Sequence, residues 1–276
     1  MDRYCVLGNP VEHSKSPWIH ARFAQLTGQR LEYGKQLIAL DGFGDAIEAF
    51  RAAGGMGCNI TVPFKFQAAP LATSLTARAR LAQACNTLRF DSDNAIFADN
   101  TDGVGLVNDI QGNAGIALAG RELLLIGAGG AAAGVRGPLI DARPRRIAVT
   151  NRTLDKAQSL MQRHAKLAQA CGVTLTAVAL DAVAGPFDVV VNATASSLSG
   201  SGIPVPDSVL KRGALAVDMM YGPAADGFLT WAREHGAIPR DGLGMLVEQA
   251  AEAFLVFRGV RPPSAVVLAE LRANPA

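Results

Sequence analysis

The stretch Glu122-Leu123-Leu124-Leu125-Ile126-Gly127-Ala128-Gly129-Gly130-Ala131 decides the fold of the second half of this chain. Its first five residues form a short, nearly continuous apolar run, which is typical of a strand buried on both faces of a parallel sheet. Glycines follow directly, and a helical pattern then extends to about residue 141. A strand, a glycine-rich turn and a helix in this order favour a dinucleotide-binding loop. There the backbone can approach a pyrophosphate, whose charge faces the helix N-terminus.

The same alternation of strand and helix continues on both sides of this stretch. The strands predicted after it cover residues 146–150, 173–178, 187–191 and 214–218. The strands predicted before it cover residues 3–7, 31–40, 57–62, 85–90 and 95–98. Helices between them favour mainly parallel sheets, so we expect an α/β fold of two domains with a cleft between them. The predicted substrate domain comprises residues 1–103 plus 243–276, and the Rossmann-type domain comprises residues 104–242. Two closing helices are predicted at 242–257 and 264–273.

Composition excludes several other classes of protein. The chain has 276 residues, 49% of them hydrophobic and 18% charged, with a net charge of +2, which suits two folded domains. The basic run Arg143–Arg146 lacks interleaved aromatic residues, so we expect no nucleic-acid partner. The four cysteines and four histidines show no metal-ligand spacing, and no long apolar run predicts a membrane span. We therefore expect a cytoplasmic protein without metal, either a monomer or a homodimer.

The end of the next strand discriminates between nicotinamide cofactors. A site for NAD usually carries an acidic residue there, which accepts a hydrogen bond from the ribose 2′-hydroxyl. This chain instead has Thr150-Asn151-Arg152-Thr153, and a guanidinium can donate to a 2′-phosphate. Lys156, one helical turn later, adds positive charge. The sequence thus favours NADP, although an exposed loop arginine followed by a Thr153 helix cap would give the same pattern.

Two polar motifs in the first half are candidates for chemistry. One is Asn59-Ile60-Thr61-Val62-Pro63-Phe64-Lys65, and the other is Asp99-Asn100-Thr101-Asp102-Gly103. Reduction of a ketone leaves an alkoxide that needs a proton, and an ammonium held against a carboxylate can donate it. Lys65 and Asp102 together suit that task, whereas taken singly they are compatible with a surface lysine and a helix-start acid. Their spacing alone does not bring them together.

Motifs along the whole chain, in order, resemble those of the shikimate dehydrogenase family. They are Gly8-Asn9-Pro10, Ser14-Lys15-Ser16-Pro17, the two polar motifs above, Asn86-Thr87, the Gly127–Ala131 loop, Asn151-Arg152-Thr153, Asn192-Ala193-Thr194, Asp218-Met219-Met220-Tyr221 and Asp241-Gly242-Leu243-Gly244-Met245-Leu246. The resemblance implies an NADP-dependent oxidoreductase that interconverts 3-dehydroshikimate and shikimate.

The resemblance also implies a role for each matching residue. Lys65 and Asp102 are similar to the catalytic pair, and Asp102 is also similar to a substrate contact. The residues similar to ligands of the substrate carboxylate are Ser14, Ser16 and Tyr221, and those similar to contacts of its ring hydroxyls are Thr61, Asn86 and Gln249. The residues similar to cofactor contacts are Gly127, Ala128, Gly129, Gly130, Ala131, Asn151, Arg152, Thr153, Lys156, Met219 and Gly242.

Alternatives remain for single residues and for the whole protein. Ser16 precedes Pro17 and is expected to cap the first helix. Met219 is an apolar residue of a type found more often in a protein core than against a nicotinamide. A quinate/shikimate dehydrogenase that uses NAD is the nearest rival enzyme. A non-catalytic NADP-binding regulator with the same fold is a rival from another class and would not need Lys65 and Asp102 together. A methylene-tetrahydrofolate dehydrogenase fits the paired serines and the Asn-Thr-Asp-Gly motif poorly.

Overall fold

The computed structural model describes residues 1–194 and 203–274. The chain divides into two compact units, which are described separately. The first comprises Met1–Gly105 and Leu246–Ala276, and the second comprises Leu106–Met245.

The first unit contains a six-stranded sheet in which one strand runs against the others. Its strands are β1 (Asp2–Gly8), β2 (Leu31–Leu37), β3 (Gly55–Ile60), β4 (Ser74–Leu75), β5 (Thr87–Phe90) and β6 (Ile96–Asp99). They lie in the order β2-β1-β3-β5-β6-β4. Strand β5 pairs antiparallel with both β3 and β6, whereas the other pairings are parallel. The predicted mainly parallel sheet is therefore confirmed, with one reversed strand.

Alternating side chains of β1 pack into two apolar layers. Cys5 and Leu7 join a cluster on one face with Ile47 and Phe64, whereas Tyr4 and Val6 join a second cluster with Tyr33 and Phe257. Both faces are thus covered, as a parallel sheet requires. The helices that cover this sheet or connect its strands are α1 (Ser16–Thr27), α2 (Phe43–Ala52), α3 (Lys65–Ala68), α4 (Ala77–Ala82), the start of α5 (Asp102–Asn108), most of α9 (Leu243–Arg258) and α10 (Ser264–Ala273).

The second unit contains a six-stranded sheet that is parallel throughout. Its strands are β7 (Glu122–Ile126), β8 (Arg146–Thr150), β9 (Thr174–Val178), β10 (Phe187–Asn192), β11 (Leu210–Asp218) and β12 (Ile238–Arg240). The order β12-β11-β10-β7-β8-β9 reverses direction between β7 and β10. This is the doubly wound arrangement, in which ligands bind at the carboxyl ends of the strands beside the reversal.

Two apolar layers enclose the second sheet, as the continuous apolar run at 122–126 predicts. Leu123 and Leu125 join one core cluster, and Leu124 and Ile126 join another. The helices of this unit are α6 (Gly130–Asp141), α7 (Leu154–Cys171) and α8 (Asp226–Glu234). Helix α5 continues into a π-helical turn over Asp109–Asn113.

The elements that sequence patterns did not predict are short. Helix α8 and strands β4 and β12 are missing from the expectations. Helix α8 has nine residues, of which only Phe228 and Ala232 are buried, so its apolar stripe is thin. Strand β12 has three residues, and Pro239 at its centre argues against a strand in any sequence-based prediction.

No helix within the described ranges is both long enough and apolar enough to cross a membrane. Within the same ranges, no three side chains of His, Cys, Asp or Glu are grouped so that they could hold a metal ion.

Candidate active site

The first unit brings Lys65 and Asp102 into a direct ion pair. Lys65 Nζ lies 2.6 Å from Asp102 Oδ2, and the two side chains are 14% and 6% exposed. Each residue opens a helix, Lys65 the short α3 and Asp102 the longer α5. A carboxylate is favoured in the first turn of a helix and an ammonium is slightly disfavoured there. The position of Lys65 in its own helix therefore does not stabilise the ammonium, whereas the Asp102 carboxylate does.

The second oxygen of Asp102 is held by an amide. Asn86 Nδ2 donates to Asp102 Oδ1 over 2.9 Å, and it also lies 2.9 Å from Thr101 Oγ1 and 3.3 Å from Gln249 Oε1. Gln249 Nε2 donates to the Leu246 carbonyl, which directs the Gln249 oxygen toward Asn86. Of the residues predicted as substrate contacts, Asn86 thus lies against the predicted catalytic carboxylate, and Gln249 lies against Asn86.

The reversed strand β5 explains why these groups converge. In a parallel sheet the polar ends of strands meet at one edge, and an antiparallel strand brings its amino end to that same edge. Thr87, the first residue of β5, pairs with Asn59 near the end of β3 and with Asp99 at the end of β6. Asn86, one residue earlier, therefore lies between the segments that carry Lys65 and Asp102.

A close approach of two helices places Gln249 in this group. A Cβ added to Gly105 in α5 would lie 2.6 Å from both the Cβ and the backbone nitrogen of Gln249 in α9. No real side chain tolerates such a distance, so glycine at position 105 is needed for α5 and α9 to pack this closely.

Three residues before Asp102 in the sequence is a buried carboxylate, Asp99, that sequence patterns did not single out as functional. Asp99 is 1% exposed, and it accepts from Arg78 over 2.8 and 2.5 Å and from Thr76 Oγ1 over 2.6 Å. Arg78 also contacts Glu252 at 2.9 Å. Burial lowers the pKa of Arg78, but its hydrogen bonds and attraction to the two carboxylates outweigh that effect and raise the pKa above its usual value. The pairing of Arg78 with Asp99 joins residues 21 apart, and no spacing rule predicts it.

Three further residues predicted to bind substrate, Ser14, Ser16 and Thr61, lie in the segments that follow β1 and β3. Ser14 Oγ accepts the Ser16 N–H over 3.3 Å, and Ser16 itself is buried. The expectation that Ser16 caps α1 is wrong, because the helix begins at Ser16 and Lys15 occupies the cap position without a side-chain hydrogen bond. Thr61 is half-buried, and its N–H donates to the Leu7 carbonyl over 2.9 Å.

In the second unit, the Gly127–Ala131 loop follows β7 at the carboxyl edge of the sheet, where the strand order reverses. Gly127 has a φ of 112°, and a Cβ there would lie 3.1 Å from the Ala193 carbonyl, so this position requires glycine. A Cβ at Gly129 would meet no atom within 4 Å, so the loop backbone there has open space beside it. Helix α6 begins at Gly130 without a side-chain cap. The loop therefore offers an accessible backbone and a helix N-terminus, which fit a pyrophosphate.

The segment with Asn151, Arg152 and Thr153 lies beside that loop. Strands β7 and β8 pair with Ile126 opposite Thr150, and the Gly127 N–H donates to the Thr150 carbonyl over 2.8 Å. Arg152 and Lys156 are exposed, and Asn151 Nδ2 donates to the Thr153 carbonyl over 2.9 Å. Thr153 occupies the cap position of α7, but the expected side-chain cap is wrong because its hydroxyl makes no capping hydrogen bond.

Met219, Tyr221 and Gly242 lie on loops after β11 and β12. The Met219 N–H donates to the Asn192 carbonyl over 3.0 Å, and Met219 is only partly buried against the core. The Gly242 N–H donates to the Met220 carbonyl over 2.8 Å, and a Cβ at Gly242 would lie 2.6 Å from the Met219 carbonyl carbon. Tyr221 is half-buried just before a 3-10 turn. Main-chain contacts thus fix Met219 and Gly242 next to each other.

A doubly wound unit with an open glycine loop, joined in one chain to a unit with a buried Lys–Asp pair, defines a dinucleotide-dependent oxidoreductase. Three family models match in order: the shikimate dehydrogenase substrate-binding domain at residues 6–88, shikimate/quinate 5-dehydrogenase at 110–199 and the shikimate 5′-dehydrogenase C-terminal domain at 242–272. The chain belongs to the shikimate dehydrogenase family.

Individual relatives match over nearly the full length. A shikimate dehydrogenase (NADP(+)) of Paracidovorax citrulli is 65% identical over 99% of this chain and 97% of the relative. Among solved structures, an Ael1 enzyme from Pseudomonas putida is 45% identical with a TM-score of 0.90, covering 98% of each chain. Shikimate 5-dehydrogenase from Thermus thermophilus, in complex with NADP(H) and shikimate, is 30% identical with a TM-score of 0.86 and 99% coverage of both chains.

Proposed function

We propose that this chain catalyses the reversible NADPH-dependent reduction of 3-dehydroshikimate to shikimate, a step toward chorismate and the aromatic amino acids. The observation that carries the proposal is the 2.6 Å contact between Lys65 and Asp102, held from the other side by the Asn86 amide. The named activity of a relative at 65% identity supports the same reaction.

When bound, NADPH supplies the hydride that is added to the carbonyl carbon. The carbonyl oxygen then becomes an alkoxide, and the Lys65 ammonium donates a proton to it. Asp102 orients Lys65 and stabilises its positive charge before transfer, and the lysine afterwards recovers a proton from water. In the reverse direction the neutral Lys65 amine accepts the hydroxyl proton as hydride leaves the carbon.

The remaining contacts with substrate are assigned by chemical type. Ser14, Ser16 and Tyr221 are proposed to donate hydroxyl hydrogen bonds to the substrate carboxylate. Thr61 and the Asn86 and Gln249 amides are proposed to bind its ring hydroxyls. A site built from such groups discriminates against analogues that lack a hydroxyl, because its own buried polar atoms would then lose their partners.

The cofactor is proposed to be NADP rather than NAD. Its pyrophosphate would lie against Gly127, Ala128, Gly129, Gly130 and Ala131, with Met219 and Gly242 near the nicotinamide. The exposed Arg152 and Lys156, with Asn151 and Thr153, are proposed to bind the 2′-phosphate. Asp155 lies in the first turn of α7, so the two cations outnumber one acid there. The comparison with relatives named for NADP(+) supports this choice.

The protein is proposed to act in the cytoplasm. Its four cysteines are free thiols, three of them buried, which suits a reducing compartment.

The direct experiment follows the absorbance of reduced nicotinamide after shikimate is added with NADP or with NAD, and then repeats both with quinate. We expect turnover with shikimate and NADP to exceed every other combination by at least about tenfold. Preference for NAD or quinate would instead identify the rival quinate/shikimate enzyme. Tight NADPH binding without turnover would favour the non-catalytic regulator.

A further inference from the structure

A chain of buried hydrogen bonds extends from Asp102 into the core of the first unit. Asn86 contacts Asp102, Thr87 Oγ1 lies 2.9 Å from Asn86 Oδ1, and Asn59 Nδ2 lies 3.0 Å from Thr87 Oγ1. The Tyr33 hydroxyl then lies 2.7 Å from Asn59 Oδ1. All five residues are less than 9% exposed, so water does not compete for these partners.

The charge of Asp102 fixes the direction of every bond in this chain. A carboxylate only accepts, so Asn86 must present its NH₂ group to Asp102 and its oxygen to Thr87. Thr87 has one hydroxyl proton, which it must give to that oxygen. It can therefore only accept from Asn59, whose NH₂ group faces it. The Asn59 oxygen is then left to accept from Tyr33.

Thr87 is the link on which this order depends. It is 0% exposed, and its hydroxyl lies between the side-chain amides of Asn59 and Asn86. Asn86 Oδ1 also accepts the Thr101 N–H over 2.9 Å, which supports the same amide orientation. Without the Thr87 hydroxyl, the Asn59 NH₂ group would keep the Asn86 carbonyl as an acceptor but lose the acceptor for its second hydrogen. Asn86 Oδ1 would keep its contacts with Thr101 and lose the Thr87 donor, in a buried site where each lost partner is costly.

We infer that Thr87 is a positioning residue, whose hydroxyl holds the Asn86 amide with its NH₂ group toward Asp102 and thereby fixes the catalytic carboxylate. This inference rests on the proposed function for its kinetic consequence. Thr87 does not contact substrate; it acts through Asn86. The expected effect is on shikimate turnover, with NADP binding unchanged.

Two substitutions separate hydrogen bonding from packing. Thr87→Val keeps the shape of the side chain and removes the hydroxyl, whereas Thr87→Ser keeps the hydroxyl and removes the methyl group. We expect Thr87→Val to lower kcat/KM for shikimate about tenfold while KM for NADP changes less than about twofold, and Thr87→Ser to stay near wild type. A packing role predicts the opposite order, so wild-type kinetics for Thr87→Val with a defect in Thr87→Ser would overturn the inference.

A matched control variant and a variant at a second position keep the test decisive even if Thr87→Val does not fold. Thr176→Val makes the same change at a hydroxyl that is shielded from solvent and has no hydrogen-bond partner among the described residues, and we expect unchanged kinetics. Tyr33→Phe removes the last donor of the chain and leaves the ring stacked 4.0 Å from His20. We expect a smaller loss of about two- to threefold in kcat/KM. If Thr87→Val does not fold, an unchanged Tyr33→Phe variant would overturn the inference.

An NMR measurement tests the amide orientation without relying on turnover. In the full-length protein, the Asn86 side-chain NH₂ hydrogens should exchange slowly with solvent in wild type and Thr87→Ser, and at least about tenfold faster in Thr87→Val. Equal exchange in all three would refute the positioning role even if the enzyme is active. Slow, Thr87-dependent exchange in a protein that does not oxidise shikimate would instead refute the proposed function and leave the hydrogen-bond chain intact.

Discussion

His20 makes the stability of the first unit depend on pH below about 6.5. The ring is 1% exposed and stacks on Tyr33 at 4.0 Å, and neither ring nitrogen has a hydrogen-bond partner in the described part of the chain. Burial lowers the pKa of His20 from 6.5 to about 3. In the unfolded chain the ring binds a proton below about pH 6.5, but in the folded protein it stays neutral. The unfolded state therefore binds more protons, and stability falls as pH falls from about 6.5 toward 3.

The size of the effect follows from the two pKa values. With 6.5 in the unfolded state and about 3 in the folded state, lowering the pH from 7 to 5 reduces the free energy of unfolding by about 2 kcal/mol through this one group. Replacing His20 by Phe keeps a planar ring against Tyr33 and removes the titration. The variant should lose about 2 kcal/mol less than wild type over this pH step.

The chain provides a local probe for this measurement. Trp18 lies on α1 with His20, and the second tryptophan, Trp231, lies on α8 in the other unit. Urea unfolding followed by Trp18 fluorescence in a Trp231→Phe background therefore reports on the first unit. His13→Gln, at an exposed position, is the control and should leave the pH dependence unchanged. An equal pH dependence in wild type and His20→Phe would refute the assignment of a neutral, buried His20.

Two further substitutions test the second unit. Arg152→Ala should raise KM for NADPH by about 10- to 100-fold and change KM for NADH less than about twofold, because a charge-assisted contact with the 2′-phosphate is lost. The control is Arg233→Ala, at an exposed position. An equal rise in KM for NADPH and NADH would contradict the assignment. Arg136 is 3% exposed, its guanidinium has no hydrogen-bond partner among the described residues, and burial followed by repulsion from Arg163 lowers its pKa to about 10. Arg136→Met should therefore raise the free energy of unfolding by about 3 kcal/mol, measured by urea unfolding with Trp231 fluorescence. A loss of stability would show that the buried cation has a partner in solution.

Strands with a continuous apolar centre were the predictable part of the fold. Strands β7 and β8 begin and end where the sequence places them, because each has such a centre and glycine or a polar turn follows. The reversal of β5 was not predicted, since strands of four residues at 87–90 and 96–99 have the same pattern in either direction. That reversal creates the site, so its geometry could not be derived from spacing.

In the candidate site, too, some features could be predicted from the sequence and others could not. Lys65 and Asp102 stand out as residue types, but the 37 positions that separate them carry no information on distance; the family resemblance supplied the pairing. Thr87 and Arg78 were not identified as functional, because each acts through a hydrogen bond to a residue that is itself placed by tertiary structure. Asn100 lies within the Asp99–Gly103 motif and is buried, and its side-chain oxygen accepts from the Asp102 backbone N–H over 3.2 Å. Composition alone does not reveal such a contact.

The central claim is that the Lys65 amine transfers the proton during interconversion of shikimate and its ketone. The most direct test is the turnover number of Lys65→Ala with shikimate and NADP, measured together with NADPH affinity and compared with Lys166→Ala at an exposed position. The predicted result is a loss of about 10²–10⁴-fold in kcat for Lys65→Ala alone, with NADPH affinity within about twofold of wild type. Wild-type turnover by Lys65→Ala would contradict the account.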